Sequence, residues 1–123
     1  MDELDRVGEQ TRRAVLGDAH VDHAQANATG FTTAFQEYAT RAAWGLVWSR
    51  PGLDRRTRSC VTLALLTALR AETELPMHVR AALRLGLTPD EIGEVLLHTA
   101  VYAGVPAANA AFAIAQRVFD EPA

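Results

Sequence analysis

Thr88-Pro89-Asp90-Glu91-Ile92-Gly93-Glu94-Val95-Leu96-Leu97-His98-Thr99-Ala100-Val101-Tyr102-Ala103 is the stretch whose reading decides the fold. Its first four residues form a helix start. Thr88 can accept a hydrogen bond from the backbone three residues on, and Glu91 can return one. Pro89 stands at the first helical position, where its missing N–H costs little. Ile92, Val95, Leu96, Thr99 and Ala103 then share one face at helical spacing. Gly104-Val105-Pro106 stops this helix and starts the last one. There Ala107, Ala110, Ala111, Ile114 and Val118 form a small-residue face that admits a close helical neighbour.

Working back from Thr88, Gly86 is a good left-handed terminator for a helix capped by Thr73, with Pro76 in its first turn. Ser49-Arg50-Pro51-Gly52-Leu53-Asp54 reads as a turn, and Asp54 as the cap of a further helix. From Arg58 to Leu69 that helix is apolar on nearly all sides, so a central position is expected. Phe31, Phe35, Tyr38 and Ala42 recur at helical spacing, placing a helix over Thr32 to Trp44. A shorter piece runs from about Val21 and stops near Gly30. Leu4, Val7, Thr11, Ala14 and Val15 make one stripe of a first helix, ended by Gly17-Asp18. No segment alternates like a strand, no repeat has a fixed period, and no linker divides the chain. The expectation is an all-α fold in a single domain over residues 1–123, with short connections and antiparallel neighbours.

The formal net charge of −3 gives no support for nucleic-acid binding. No apolar run reaches membrane-spanning length, and the acidic start Met1-Asp2-Glu3-Leu4-Asp5 is unlike a secretory signal. The cytoplasm is the default expectation. Cys60 is the only cysteine, so neither an intrachain disulfide nor a CxxC pair can form. Burial is its expected role. Arg50, Arg55, Arg56 and Arg58 fall close together. Either they are a solvated helix start, or they clamp a small anion in an otherwise acidic protein.

Glu74 and His78 stand one turn apart, with Ala81, Ala82 and Leu85 on the same face and Arg80 and Arg84 on the other. An acid and an imidazole are thus expected to point inward. A satisfied core pair is the commoner meaning of such a pattern. The functional meaning is a proton donor held in a dry pocket. His98 lies one turn before Tyr102 and reads either as a boundary histidine or as a substrate contact. Trp44 and Trp48 read as core packing or as the wall of a pocket for a flat ring. His20 and His23 are too scattered from the other histidines to define a metal site. There is no HExxH, no phosphate loop and no GxSxG elbow.

Several long motifs resemble the 4-carboxymuconolactone decarboxylases. They are Ala43-Trp44-Gly45-Leu46-Val47-Trp48-Ser49-Arg50-Pro51-Gly52-Leu53-Asp54-Arg55-Arg56-Thr57-Arg58-Ser59, Glu74-Leu75-Pro76-Met77-His78-Val79-Arg80-Ala81-Ala82-Leu83, Thr88-Pro89-Asp90-Glu91-Ile92 and Tyr102-Ala103-Gly104-Val105-Pro106-Ala107-Ala108-Asn109. They occur in the family's order, and the resemblance covers almost the whole chain after about residue 20. The resemblance implies an AhpD-like helical bundle of about six helices and a homo-oligomer, typically a hexamer. It implies cofactor-independent decarboxylation of a dianionic lactone, 4-carboxymuconolactone, to 3-oxoadipate enol-lactone in protocatechuate breakdown. AhpD-like proteins place a CxxC pair before the histidine that resembles His78. Ala71 and Glu74 stand there in this chain, which removes the thiol chemistry.

On that footing His78 with Glu74 is the candidate acid pair. Arg58 is the first candidate for holding substrate, with Arg50 and Arg55 behind it. Tyr102, His78 or a helix-start backbone N–H would stabilise the developing oxyanion, His98 is a further candidate for binding substrate, and Trp44 and Trp48 would exclude water. The rival readings are a thiol-dependent peroxide-reducing protein, a non-catalytic helical assembly subunit, and a related decarboxylase for another small acid.

Overall fold

The computed structural model describes residues 1–122, and all regular structure among them is helical. Seven α-helices and one π-helix follow one another: α1 (Glu3–Leu16), α2 (Asp18–Ala26), α3 (Thr33–Ala39), the π-helix (Thr40–Trp48), α4 (Arg55–Ala68), α5 (Leu75–Arg84), α6 (Pro89–Ala103) and α7 (Val105–Phe119). The all-α expectation holds. The chain gathers into two compact units, one over Met1–Asp54 and one from Arg55 onward.

In the first unit, α1 packs against α2 and the π-helix, and α3 packs against the π-helix. Asp2 caps α1. Its carboxylate accepts the Asp5 N–H at 3.0 Å, and Asp5 accepts the Asp2 N–H at 3.2 Å. Gly17, at φ 90°, then turns the chain straight into α2, which starts earlier and stops earlier than expected. The buried face of α1 is Gly8, Thr11, Arg12, Val15 and Leu16. Ala14, assigned to the stripe from spacing, is exposed.

The helix expected over Thr32–Trp44 is different in kind. α3 closes at Ala39, and the chain continues in wider π turns to Trp48. At the junction the Thr40 hydroxyl donates to the Gln36 carbonyl at 2.9 Å, the sort of competition that disturbs a regular ladder. Phe31, Phe35 and Tyr38 are not buried; they are 94%, 65% and 67% exposed.

The second unit has the larger core. Leu63 of α4, Leu75, Val79 and Ala82 of α5, Leu87, Ile92 and Leu96 of α6 with its approach, and Ala111, Ile114, Ala115 and Val118 of α7 form one cluster. The alanines of α7 let it lie close, as its sequence implies. The expected caps are in place at α6, where Thr88 accepts the Glu91 N–H at 3.1 Å and Glu91 accepts the Thr88 N–H at 2.9 Å. Gly86 and Gly104 have φ of 94° and 100°, so each reverses the chain where a side chain would be strained.

Two expectations fail in this unit. The cap of α5 is Glu74, not Thr73, because the turn after α4 runs on through Thr73 and the helix begins only at Leu75. And α4 is not apolar-buried all round. Ser59, Leu63 and Thr67 face inward, while Val61, Leu65 and Leu69 are 47%, 54% and 75% exposed.

Candidate active site

α5 carries the central side chain. Its inward face is Leu75, His78, Val79, Ala81 and Ala82, and the His78 side chain is only 9% exposed. Leu75, Val79 and Ala82 belong to the core cluster, so they fix the rotation of the helix and with it the imidazole. Arg80 and Arg84 lie outside, as expected. Arg80 there pairs with Glu121, its Nε 2.9 Å from a carboxylate oxygen.

Glu74 does not share this position. Its carbonyl accepts the His78 N–H at 3.3 Å, but its side chain is exposed. The inward acid–imidazole pair expected from spacing is not formed. The reason is local: Glu74 is the cap, half outside the helical cylinder, so the one-turn spacing that aligns side chains inside a helix does not carry its carboxylate inward.

The arginine group also divides. Arg58 is half-buried within the first turn of α4, whereas Arg55 and Arg50 are exposed. Arg56 has a structural task. Its guanidinium donates to the Gly86 carbonyl at 2.7 Å and to Glu91 at 2.8 Å, strapping the start of α4 to the corner before α6. Arg50 belongs to the expected turn, with its N–H on the Val47 carbonyl at 3.0 Å.

His98 and Tyr102 come together on α6, ring centroids 5.5 Å apart and planes tilted by 33°. Both are exposed, on the side away from Ile92, Leu96 and Thr99. In the first unit Trp44 is buried and Trp48 half-buried, with centroids 4.9 Å apart. Cys60 packs half-buried against the core of the second unit. Among the described residues no group of three or more His, Cys, Asp or Glu could hold a metal ion. No helix of the described residues is long and apolar enough to cross a membrane.

Two cavities stand apart from these residues. One, of about 600 Å³, lies within the first unit and is lined by Arg12, Gln36 and Arg41 among others. The other, of about 510 Å³, follows α6 and α7 past Ile92, Leu96 and Phe112. Neither is walled by His78 or Arg58. Arg12 and Ser59 are buried polar side chains that sequence reading passed over. Arg12 adjoins an apolar stripe, where a charged residue reads as solvated. Ser59 sits among arginines, and its hydroxyl has no hydrogen-bond partner among the described residues.

A protein of Acinetobacter baylyi named 4-carboxymuconolactone decarboxylase is 50% identical over 94% of this chain and 87% of its own length. A Metarhizium robertsii protein named nitrosuccinic acid decarboxylase is 44% identical over 98% of this chain and 87% of its own. A Pseudomonas putida 4-carboxymuconolactone decarboxylase is 53% identical over 37% of this chain and 98% of its own. The pattern of the carboxymuconolactone decarboxylase family matches residues 33–117, which takes in the π-helix, the arginine-rich turn and the helix bearing His78. With most of its length inside that match, the chain belongs to the carboxymuconolactone decarboxylase family.

Proposed function

We propose that the protein decarboxylates 4-carboxymuconolactone to 3-oxoadipate enol-lactone, with His78 as the group that delivers the proton. The observation that carries this is the buried imidazole on the core-facing side of α5, in a chain half identical to a protein named as a decarboxylase of that lactone.

The chemistry asks little of the protein. The departing carboxylate stands on a ring carbon conjugated, through the ring double bond, to the lactone carbonyl. Breaking the bond to CO2 sends its electron pair through that double bond onto the carbonyl oxygen, giving a dienolate. A proton added at the ring carbon next to the carbonyl restores the carbonyl and yields the product. The ring is its own electron acceptor, so the proposed reaction uses no cofactor. General acid transfer of this kind is worth about 10²–10⁴-fold.

Arg58 is the proposed anion contact, through the two-pronged match of guanidinium and carboxylate. It has to hold the acetate arm. Gripping the departing carboxylate would stabilise reactant and transition state alike. Arg50, Arg55, Tyr102, His98, Trp44 and Trp48 are secondary candidates for the substrate's surroundings.

Exposed apolar side chains support a homo-oligomer, proposed as a hexamer in the cytoplasm. Val61, Leu65 and Leu69 of α4 and Leu97 and Val101 of α6 would otherwise face water in one unit. Light scattering on Leu65→Glu should show smaller particles than the parent protein.

A second reading rests on the Metarhizium robertsii relative. In nitrosuccinate the carboxylate beside the nitro-bearing carbon can leave its electrons on the nitro group, as a nitronate. The same acid and the same anion contact would serve. The ratio of kcat/KM for the two substrates decides between them.

The test follows ultraviolet loss of purified lactone and counts CO2, in metal-free buffer without thiols. His78→Ala should lose at least about 100-fold in kcat while keeping the oligomer. Arg58→Ala should lower kcat/KM more than Arg84→Ala, because Arg84 is exposed on the far face of α5. Near-normal turnover by His78→Ala would remove the assignment.

A further inference from the structure

The cavity of the first unit contains a buried cation with no carboxylate bound to it. Arg12 is 8% exposed. Its guanidinium donates to a neutral acceptor, the Gln36 side-chain oxygen, at 3.1 Å, and makes no ion pair among the described residues. Burial pushes its pKa down, and Glu9 one turn back offsets part of that.

The other charges around the cavity are differently placed. Asp5 is held by Arg41 at 2.7 Å. Glu9 is held by Arg13 at 3.2 Å and by the Gln25 amide at 3.1 Å. These two carboxylates are therefore already committed to cations or donors. Glu37 of α3 lines the same space, is exposed, and has no ion pair among the described residues. The space thus offers one buried guanidinium with unspent donors and one open carboxylate.

We infer that this cavity binds a small monocarboxylate, with its carboxylate on Arg12 and an uncharged or cationic remainder toward Glu37. A guanidinium has five N–H donors and suits a carboxylate with two of them. A dianion would set its second charge against Glu37. The site is thereby distinguished from one for the dianionic lactone, and its occupant need not be a substrate.

The probes are sodium acetate and sodium succinate, titrated into the intact protein at constant ionic strength with sodium chloride as the reference. The readout is the unfolding temperature, since a ligand that binds only the folded state raises it in a concentration-dependent way. Acetate should raise it above the chloride reference, and succinate should do so less at equal concentration. Arg12→Met should abolish the acetate response yet unfold at or above the parent temperature in chloride, because removing an underpaired buried charge is commonly neutral or stabilising. Arg12→Lys should keep the response at roughly tenfold higher acetate, the charge being kept and the fork lost.

No acetate response in the parent protein overturns the inference, as does a larger response to succinate. So does a markedly lower unfolding temperature or a smaller oligomer for Arg12→Met. Either of those would make Arg12 a structural residue whose partner is protein.

Discussion

Gly8→Ala should separate two helices that now touch backbone to backbone. A Cβ built on Gly8 of α1 would lie 2.3 Å from the Thr40 carbonyl oxygen and 3.2 Å from the Gly45 nitrogen, both in the π-helix. These are backbone atoms, so no side chain can swing away. Ordinary contact requires about 1 Å more, and α1 has to move by that amount. The opposite glycine has the same problem, because a Cβ on Gly45 would meet Leu4 at 2.8 Å. Overpacking costs about 1–3 kcal/mol, and a clash with backbone atoms that cannot swing away belongs in the upper part of that range, about 2–3 kcal/mol. Alanine's better helix propensity returns about 1 kcal/mol, leaving a net loss of about 1–2 kcal/mol. For a domain of this size that is a fall in Tm of roughly 4–8 °C. Gly30→Ala is the matched control, since nothing lies within 4 Å of its added Cβ and its φ is not left-handed. It should be neutral or slightly stabilising. Thermal unfolding followed by circular dichroism compares the two. Equal Tm values for Gly8→Ala and Gly30→Ala would refute the close approach of α1 to the π-helix.

Thr88→Ala removes half of the capping box of α6 and should lower stability by about 1 kcal/mol in chemical denaturation, while Thr88→Ser should nearly restore it. Arg70, at φ 58°, occupies the left-handed position that closes α4, with the Ala71 N–H on the Leu66 carbonyl at 2.9 Å. Arg70→Gly should therefore raise stability by about 1 kcal/mol despite losing the exposed contact to Glu72, and a lower urea midpoint would contradict that. Asp2 has its carboxyl held down to about 2 by the Asp5 N–H and then by Arg41. A lowered folded-state pKa gives stability that is present above the unfolded value and lost as pH falls. The stability difference between the parent and Asp2→Ala should be level near neutral pH and shrink between about pH 4 and 2; a difference that stays constant through that range would show that the charge is irrelevant.

Helix type, caps and stops were readable where local chemistry determines them. Thr88-Pro89-Asp90-Glu91 fixes a helix start from four side chains, and Gly86 and Gly104 fix reversals by their freedom at positive φ. The inward face of α5 was legible in part, because His78, Ala81 and Ala82 follow the turn of a helix and are buried as their spacing implies. Spacing failed wherever the deciding partner is distant in sequence. Phe31, Phe35 and Tyr38 have helical period but no neighbour within their unit to cover them. The π-helix arises where Thr40 meets Gln36 and Gly8, and no periodicity marks that meeting. Arg12 is buried by α1's packing against other elements, which a stripe of one helix cannot reveal. Glu74 failed for the opposite reason, a shift in helix start that changed what spacing means.

That shift bears on the chemistry. Where AhpD-like proteins carry two thiols ahead of the histidine, this chain has Ala71, half-buried in a turn, and Glu74, exposed at a helix start. Thiol exchange needs two sulfurs within bridging distance, and Cys60 is a single sulfur on another helix. What persists is an imidazole set into the inward face of α5, a group that moves protons without an electron partner. A conjugated lactone, which accepts its own electrons, matches that reduced equipment. The two residues of the expected acid pair should then separate sharply under mutation. His78→Ala removes the proton donor and should cost at least about 100-fold in kcat. Glu74→Gln alters an exposed carboxylate that caps nothing in its own helix, and should keep kcat within about threefold, since an exposed charge does little to orient a buried ring. Single-turnover rates with the lactone measure both on one scale. Equal losses would mean that the working assembly covers Glu74 and couples it to His78, and an account of proton delivery that leaves Glu74 out would have to be given up.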